Sequence, residues 1–227
     1  LDITNRNQVL QYISNSQFDY IINCAAYTAV DLAEDNKEKA FEINAKGVEN
    51  LTIACKRFSC TLLHVSTDFV FDGKKNAPYL EGDNTHPLNY YGASKLNGEQ
   101  IIQQALSKYF IIRTSWLFSE FGNNFVKTML RLSKEREELS VVDDQMGSPT
   151  YAKDLAEVIL KIISSQSNNF GIYHYSNQGE ITWYDLAKEI FKQSNADINL
   201  YKTDSNTFKT LATRPKYSVL NTSKIHS

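Results

Sequence analysis

Cysteine is scarce: three residues, at positions 24, 55 and 60 of 227, with no CxxC pair among them. That number and spacing exclude a disulfide framework and a cysteine-based zinc site, and the four histidines are scattered. The thiols are read as reduced and buried, as expected of a cytoplasmic protein. No apolar run approaches the ~20 residues that a membrane span requires. Net charge is nearly absent: 24 Lys+Arg against 26 Asp+Glu leave −2, which argues against broad binding to nucleic acid or to an anionic membrane. The nine glycines are dispersed, and no GxGxxG or GxxGxxG occurs. What is present is 42% hydrophobic and 12% aromatic residues, enough for a packed core and against disorder along the whole chain. The length suits one large domain, or one domain with a smaller appendage.

Apolar runs alternate with amphipathic stretches. Residues 19–26, 61–67, 110–116, 139–142 and 171–175 read as strands. Between and after them, 38–58, 92–108, 124–136, 153–164 and 182–193 carry apolar residues at a period near 3.6, as in Ala40, Phe41, Ala45, Val48 and Leu51. Residues 164–169 are polar and read as a loop. Alternating β and α units predict an α/β fold with a parallel sheet covered by helices on both faces. In such a sheet, ligands bind beyond the carboxyl ends of the strands. Those ends here read Asn23-Cys24-Ala25-Ala26-Tyr27-Thr28, Val65-Ser66-Thr67-Asp68 and Arg113-Thr114-Ser115-Trp116. The small side chains at Ala25 and Ala26 suit either a flat cofactor lying against the backbone or tight helix–strand packing.

Tyr91-Gly92-Ala93-Ser94-Lys95 opens a helical stretch. The i,i+4 spacing puts Tyr91 and Lys95 on one face. A phenol titrates near ~10, and an adjacent ammonium would lower that value and ready it for acid catalysis. The YxxxK pattern alone is weak. With Thr67 closing a preceding strand it becomes a site, because the hydroxyl can bind a substrate oxygen where the phenol reaches.

This constellation resembles the extended short-chain dehydrogenase/reductase superfamily. Five blocks narrow the resemblance to the dTDP-4-dehydrorhamnose reductase family: residues 25–31 (AAYTAVD), 66–73 (STDFVFDG), 87–95 (PLNYYGASK), 113–116 (RTSW) and 142–152 (VDDQMGSPTYA). They stand in the family's order and cover nearly the whole chain. The resemblance implies a Rossmann-type domain, with NADPH or NADH reducing the 4-keto group of dTDP-4-dehydro-L-rhamnose. It implies Tyr91 as proton donor, Lys95 as the holder of the nicotinamide ribose, and Thr67 as the group orienting the sugar oxygen. It places Asp68 and Trp116 against the nucleotide sugar, and Asp2, Ile3, Ala25, Ala26, Tyr27, Thr28 and Val65 against the cofactor, with Asp2 and Ile3 near the adenine. For Asp2 a helix cap is an equal alternative. Asn44 matches a helix asparagine that supports a proton-relay water in the superfamily, with a helix-kink hydrogen bond as the competing reading. The family also suggests homodimers and, in some members, magnesium, but no metal-ligand motif occurs in the sequence.

The implied division assigns 1–117 and 138–180 to the nucleotide-binding domain and 118–137 and 181–227 to a substrate-binding region. The family's glycine-rich turn has no counterpart here, so its strand–turn–helix unit is expected upstream of Leu1, and a last helix is expected to follow the C-terminal segment. A molecule beginning at Leu1 is expected to bind dinucleotide weakly. Other features have plainer readings: His64 as a satisfied core histidine, Asp143-Asp144 as a turn, and Arg214-Pro215-Lys216 as either a diphosphate contact or a surface turn. Two other functions stay open. One is another nucleotide-sugar epimerase, dehydratase or reductase. The other is a binding subunit of the methionine adenosyltransferase regulatory type, against which the intact Thr67, Tyr91 and Lys95 argue.

Overall fold

The computed structural model describes all 227 residues. In chain order its helices are α1 (Arg6–Ser14), α2 (Leu32–Asp35), α3 (Lys37–Phe41), α4 (Val48–Phe58), α5 (Tyr90–Ala105), α6 (Phe125–Glu135), α7 (Ala152–Ser164), α8 (Trp183–Ser194) and α9 (Ser223–His226). The strands are β1 (Tyr20–Asn23), β2 (Thr61–Thr67), β3 (Tyr109–Thr114), β4 (Leu117–Phe118), β5 (Glu138–Val142), β6 (Met146–Gly147), β7 (Thr150–Tyr151), β8 (Gly171–His174), β9 (Ile181–Thr182) and β10 (Asn199–Thr203). No helix is long and apolar enough to cross a membrane.

The four strands β1-β2-β3-β8 form one wholly parallel sheet. β2 and β3 occupy its centre, and their side chains alternate between two cores. Leu62 and Ile111 face α1, α4 and α5, joining Val9, Ile13, Val48, Leu51 and Ile102. Leu63, Phe110 and Ile112 face α7, joining Leu155 and Ile159. Both faces are therefore dry, as a parallel sheet requires.

A third, smaller core joins Met129 of α6, Leu139 and Val141 of β5, and Ala187 and Phe191 of α8. The division drawn from sequence put residues 138–180 with the sheet. β5 instead pairs in parallel with β10, Glu138 opposite Asn199 through Val142 opposite Thr203. Its alternating pattern, with Leu139 and Val141 buried between exposed Glu138 and Ser140, has one face to cover, and α6 and α8 cover it. Residues 138–142 thus pack with the 181–227 region.

The long helix expected over 38–58 is interrupted. α3 and α4 are joined by a π-helical turn, Glu42–Gly47, whose extra residue turns Asn44 inward. Helix α5 packs closely on this turn: a Cβ at Gly98 would stand 2.3 Å from the Asn44 carbonyl oxygen. Only glycine admits that approach. Gly98→Ala is expected to destabilise the fold by about 1–3 kcal/mol through overpacking, despite alanine's higher helix propensity. Urea unfolding checks this, and a midpoint equal to or above the parent's contradicts it.

Candidate active site

At the carboxyl end of β2 the chain enters a short 3₁₀ turn, Asp68–Val70. The Thr67 hydroxyl caps this turn, accepting from the Phe69 amide at 3.2 Å and donating to Asp68 Oδ1 at 3.0 Å. Facing it, α5 starts under an Asn89 cap whose Oδ1 accepts from the Gly92 amide at 2.8 Å. Gly92 lies so near the Phe69 carbonyl that a Cβ would meet it at 2.2 Å. The helix therefore begins directly beside the strand end, and Tyr91 and Lys95 come to Thr67.

These groups line one cavity of about 540 Å³, within the range of small-molecule sites. Of the residues proposed from sequence, Ala26, Thr28, Val65, Thr67, Asp68, Tyr91, Lys95 and Trp116 line it. Asp2, Ile3, Ala25 and Tyr27 do not. The Asp2 carboxylate is turned onto Thr4, accepting from its amide and hydroxyl at 2.9 and 2.8 Å, while Asn5 caps α1. Ile3 belongs to the core against α1 and α4. The Ala25 amide is bound to Asn23 Oδ1, and both backbone polar groups of Tyr27 are bound to the Asn44 amide. Asn44 also donates to Ser94 Oγ at 3.0 Å. Its side chain thus fastens the 25–28 segment to α5.

Lys95 is 2% exposed. Its Nζ donates to the Val65 carbonyl at 2.7 Å and lies 3.3 Å from His64 Nε2. Burial pushes this amine down to about 8, against the opposing pull of Glu99 and Cys24. Sequence reasoning expected Lys95 to depress the Tyr91 phenol. Burial instead pushes that phenol up to about 12, outweighing the Thr67 side chain beside it, and the Asp68 charge adds to the rise. The phenol is therefore held in its protonated form at neutral pH. Asp68 is 2% exposed, and burial raises its carboxyl to about 6 against the neighbouring Ser218 and Thr67 side chains. Its Oδ2 is buried, with the Ser218 side chain near it but outside strict hydrogen-bond geometry.

The far wall is aromatic. Trp116 has a φ of 48°, a strained conformation for a bulky side chain. Its indole stacks on Trp183 with ring centroids 3.5 Å apart and planes 9° from parallel. Gly147 supports the ring from behind, where a Cβ would stand 2.5 Å from it. Sequence reasoning passed over Trp183, Cys24, Val30, Phe69, Gln145 and Ser218, all of which line the cavity. For Trp183 a signal existed: it is the other of two tryptophans in the chain. Arg214 also lines the cavity and is held by Asp31 Oδ2 at 2.6 Å, while Asp31 Oδ1 accepts from the Ala212 amide. No group of three or more His, Cys, Asp or Glu side chains is arranged to hold a metal ion.

A family model described as the RmlD substrate binding domain matches residues 1–227. A dTDP-4-dehydrorhamnose reductase of Aggregatibacter actinomycetemcomitans is 45% identical over 99% of this chain and 80% of its own length. Among solved structures, a dTDP-4-dehydrorhamnose reductase of Bacillus anthracis in complex with NADP superposes with a TM-score of 0.96 at 46% identity, covering all of this chain and 80% of that one. At 18% identity, a Streptomyces venezuelae dTDP-glucose 4,6-dehydratase still shares the fold, with a TM-score of 0.83. The chain belongs to the RmlD substrate binding domain family, that of the dTDP-4-dehydrorhamnose reductases.

Proposed function

We propose that the protein reduces the 4-keto group of dTDP-4-dehydro-L-rhamnose to dTDP-L-rhamnose with a reduced nicotinamide dinucleotide, NADPH being the form indicated by the Bacillus anthracis relative. The single observation that supports this most is the meeting of Thr67, Tyr91 and Lys95 in one cavity at the end of β2. Homodimers, implied by the resemblance, and a cytoplasmic setting, read from the sparse cysteines, belong to the same reading.

The residues fit the cofactor's reactive half. Small side chains at Ala26 and Thr28 leave room for a flat ring, and Lys95 would offer an N–H donor to the ribose of a bound dinucleotide. The bound cofactor supplies the hydride. Everything else falls to side chains. Thr67 accepts the Phe69 amide and can turn its hydroxyl from Asp68 to the sugar carbonyl. Tyr91, kept protonated by its burial, gives its proton to the oxygen as negative charge develops there. An alkoxide is a stronger base than a phenolate, so a high phenol pKa does not oppose that transfer. The stacked Trp116 and Trp183 give a flat apolar wall for the sugar nucleotide. Arg214, fixed by Asp31, gives a positive group for its diphosphate.

Tyr91→Phe is expected to lower kcat by about 10²–10⁴ with little change in KM, because the ring is kept and only the proton is lost. Stopped assays of NADPH oxidation with the dTDP-keto sugar measure it. Turnover equal to the parent's refutes the proton-donor role.

The raised Asp68 carboxyl gives a second prediction. The folded protein keeps a proton there that the unfolded chain releases near ~4. Between that pH and about 6 the native state binds more protons, so this group's contribution falls as pH rises and its full cost is present above about 6. Asp68→Asn is therefore expected to gain stability relative to the parent between about pH 4 and pH 7, by up to ~3 kcal/mol. Urea unfolding at the two pH values tests this. A constant or shrinking difference contradicts it.

A further inference from the structure

Gln145 is 7% exposed and lines the cavity. Its amide is oriented from behind. Asp144 Oδ1 accepts from the Ser205 amide at 3.0 Å and from the Ser205 hydroxyl at 2.7 Å. A hydroxyl has one proton, and that of Ser205 goes to the carboxylate, so its oxygen accepts from Gln145 Nε2 at 2.9 Å. The NH₂ of Gln145 therefore faces Ser205, and its carbonyl oxygen faces away. No group of the protein donates to that Oε1, and the atom is not closed off from solvent. A side chain more than nine-tenths buried thus presents a bare acceptor, fixed in direction, to the cavity it lines.

Backbone pairing fixes which part of a sugar nucleotide meets it. The Met146 amide donates to the Lys216 carbonyl and the Met146 carbonyl accepts from the Ser218 amide, both at 2.8 Å, in a parallel bridge to Tyr217. Gln145 is therefore level with Lys216, between Arg214 and Ser218. The Ser218 side chain lies near Asp68, next to Thr67, where the carbonyl is reduced. Arg214 is the group for the diphosphate. On its other side Met146 pairs with Thr182, which puts Gln145 beside Trp183 of the indole wall. An acceptor repels phosphate and keto oxygens alike and calls for an O–H or N–H donor. On the stretch of hexose between carbon 4 and the diphosphate, the donors are the hydroxyls of carbons 2 and 3.

We propose that Gln145 determines specificity within the reductase site: its Oε1 accepts a hydrogen bond from the hydroxyl on carbon 2 or carbon 3 of the hexose. Asp144 and Ser205, which do not line the cavity, are positioning residues for its amide. The proposal rests on the reductase reading and adds a requirement to it. A hexose that keeps the hydroxyl is selected over its deoxy counterpart, because the deoxy sugar covers the oxygen without pairing it.

Calorimetry on the protein with dTDP-L-rhamnose, its 2-deoxy and 3-deoxy counterparts and dTDP tests this. The parent is expected to bind dTDP-L-rhamnose about 10-fold more tightly than one of the two deoxy forms. Gln145→Met, close in size, is expected to lose most of that preference while binding dTDP as the parent does. Ser205→Ala, which frees the amide to turn, is expected to lose part of it, again with dTDP unaffected. A preference undiminished in Gln145→Met overturns the proposal, as does equal affinity of the parent for all three sugar nucleotides. A fall in dTDP affinity as large as that for dTDP-L-rhamnose also overturns it, since the acceptor then reads the nucleotide. Each of these outcomes leaves the reductase reading standing. A parent that binds dTDP-L-rhamnose no more tightly than dTDP overturns the proposal and the reductase reading together.

Discussion

The hydrogen bond from Lys95 Nζ to the Val65 carbonyl, at 2.7 Å, is the joint on which the site turns. It fastens α5 to the central strand at the point where the strand runs out. Tyr91 is one helical turn from Lys95, and Thr67 is two residues beyond Val65. Fixing the one contact therefore brings phenol and hydroxyl together. Gly92 against Phe69 and Gly98 against Asn44 let the helix come close enough for that contact to form. A buried amine would ordinarily weigh against folding. Here the Val65 carbonyl accepts from it, and the Glu99 carboxylate, itself bound by Arg113, opposes the effect of burial on its charge.

The cavity lies between the four-stranded parallel sheet and the smaller unit built on β5 and β10. One wall comes from the parallel sheet and α5, and the other from the Trp116–Trp183 stack, where α8 brings the smaller unit to the rim. The Asp31–Arg214 pair and the Asn89 Nδ2 bond to the Thr213 carbonyl tie the 212–214 segment back across the opening. Those links are partly buried and few. They fix where the closing segment sits without committing a large apolar surface to it, which suits a wall that must admit and release a sugar nucleotide.

Much of this was legible in the residues. β2 was readable to the residue because a strand buried on both faces is a continuous apolar run ended by Ser66 and Thr67. α5 was readable through its period and the YxxxK spacing. Three things were not. The π-helical turn at Glu42–Gly47 shifts the period by one residue inside a stretch that still looks amphipathic. The β5–β10 pair joins segments about sixty residues apart, and a local pattern carries no partner. The direction of the Tyr91 shift depends on burial outweighing a neighbouring charge, which is settled by packing and not by spacing. His64 was read correctly as a satisfied core histidine. What it satisfies, Asn23 on one side and Lys95 on the other, becomes visible only with β1, β2 and α5 assembled.

The central claim is that one cavity brings a nicotinamide's hydride and the Tyr91 proton to the same carbonyl. Following a label tests it most directly: the protein is given dTDP-4-dehydro-L-rhamnose and reduced dinucleotide carrying deuterium at the transferable position, and the sugar product is read by mass spectrometry and NMR. The account predicts dTDP-L-rhamnose bearing one deuterium on C4. Product without the label, or dinucleotide that stays reduced in the presence of the keto sugar, contradicts it.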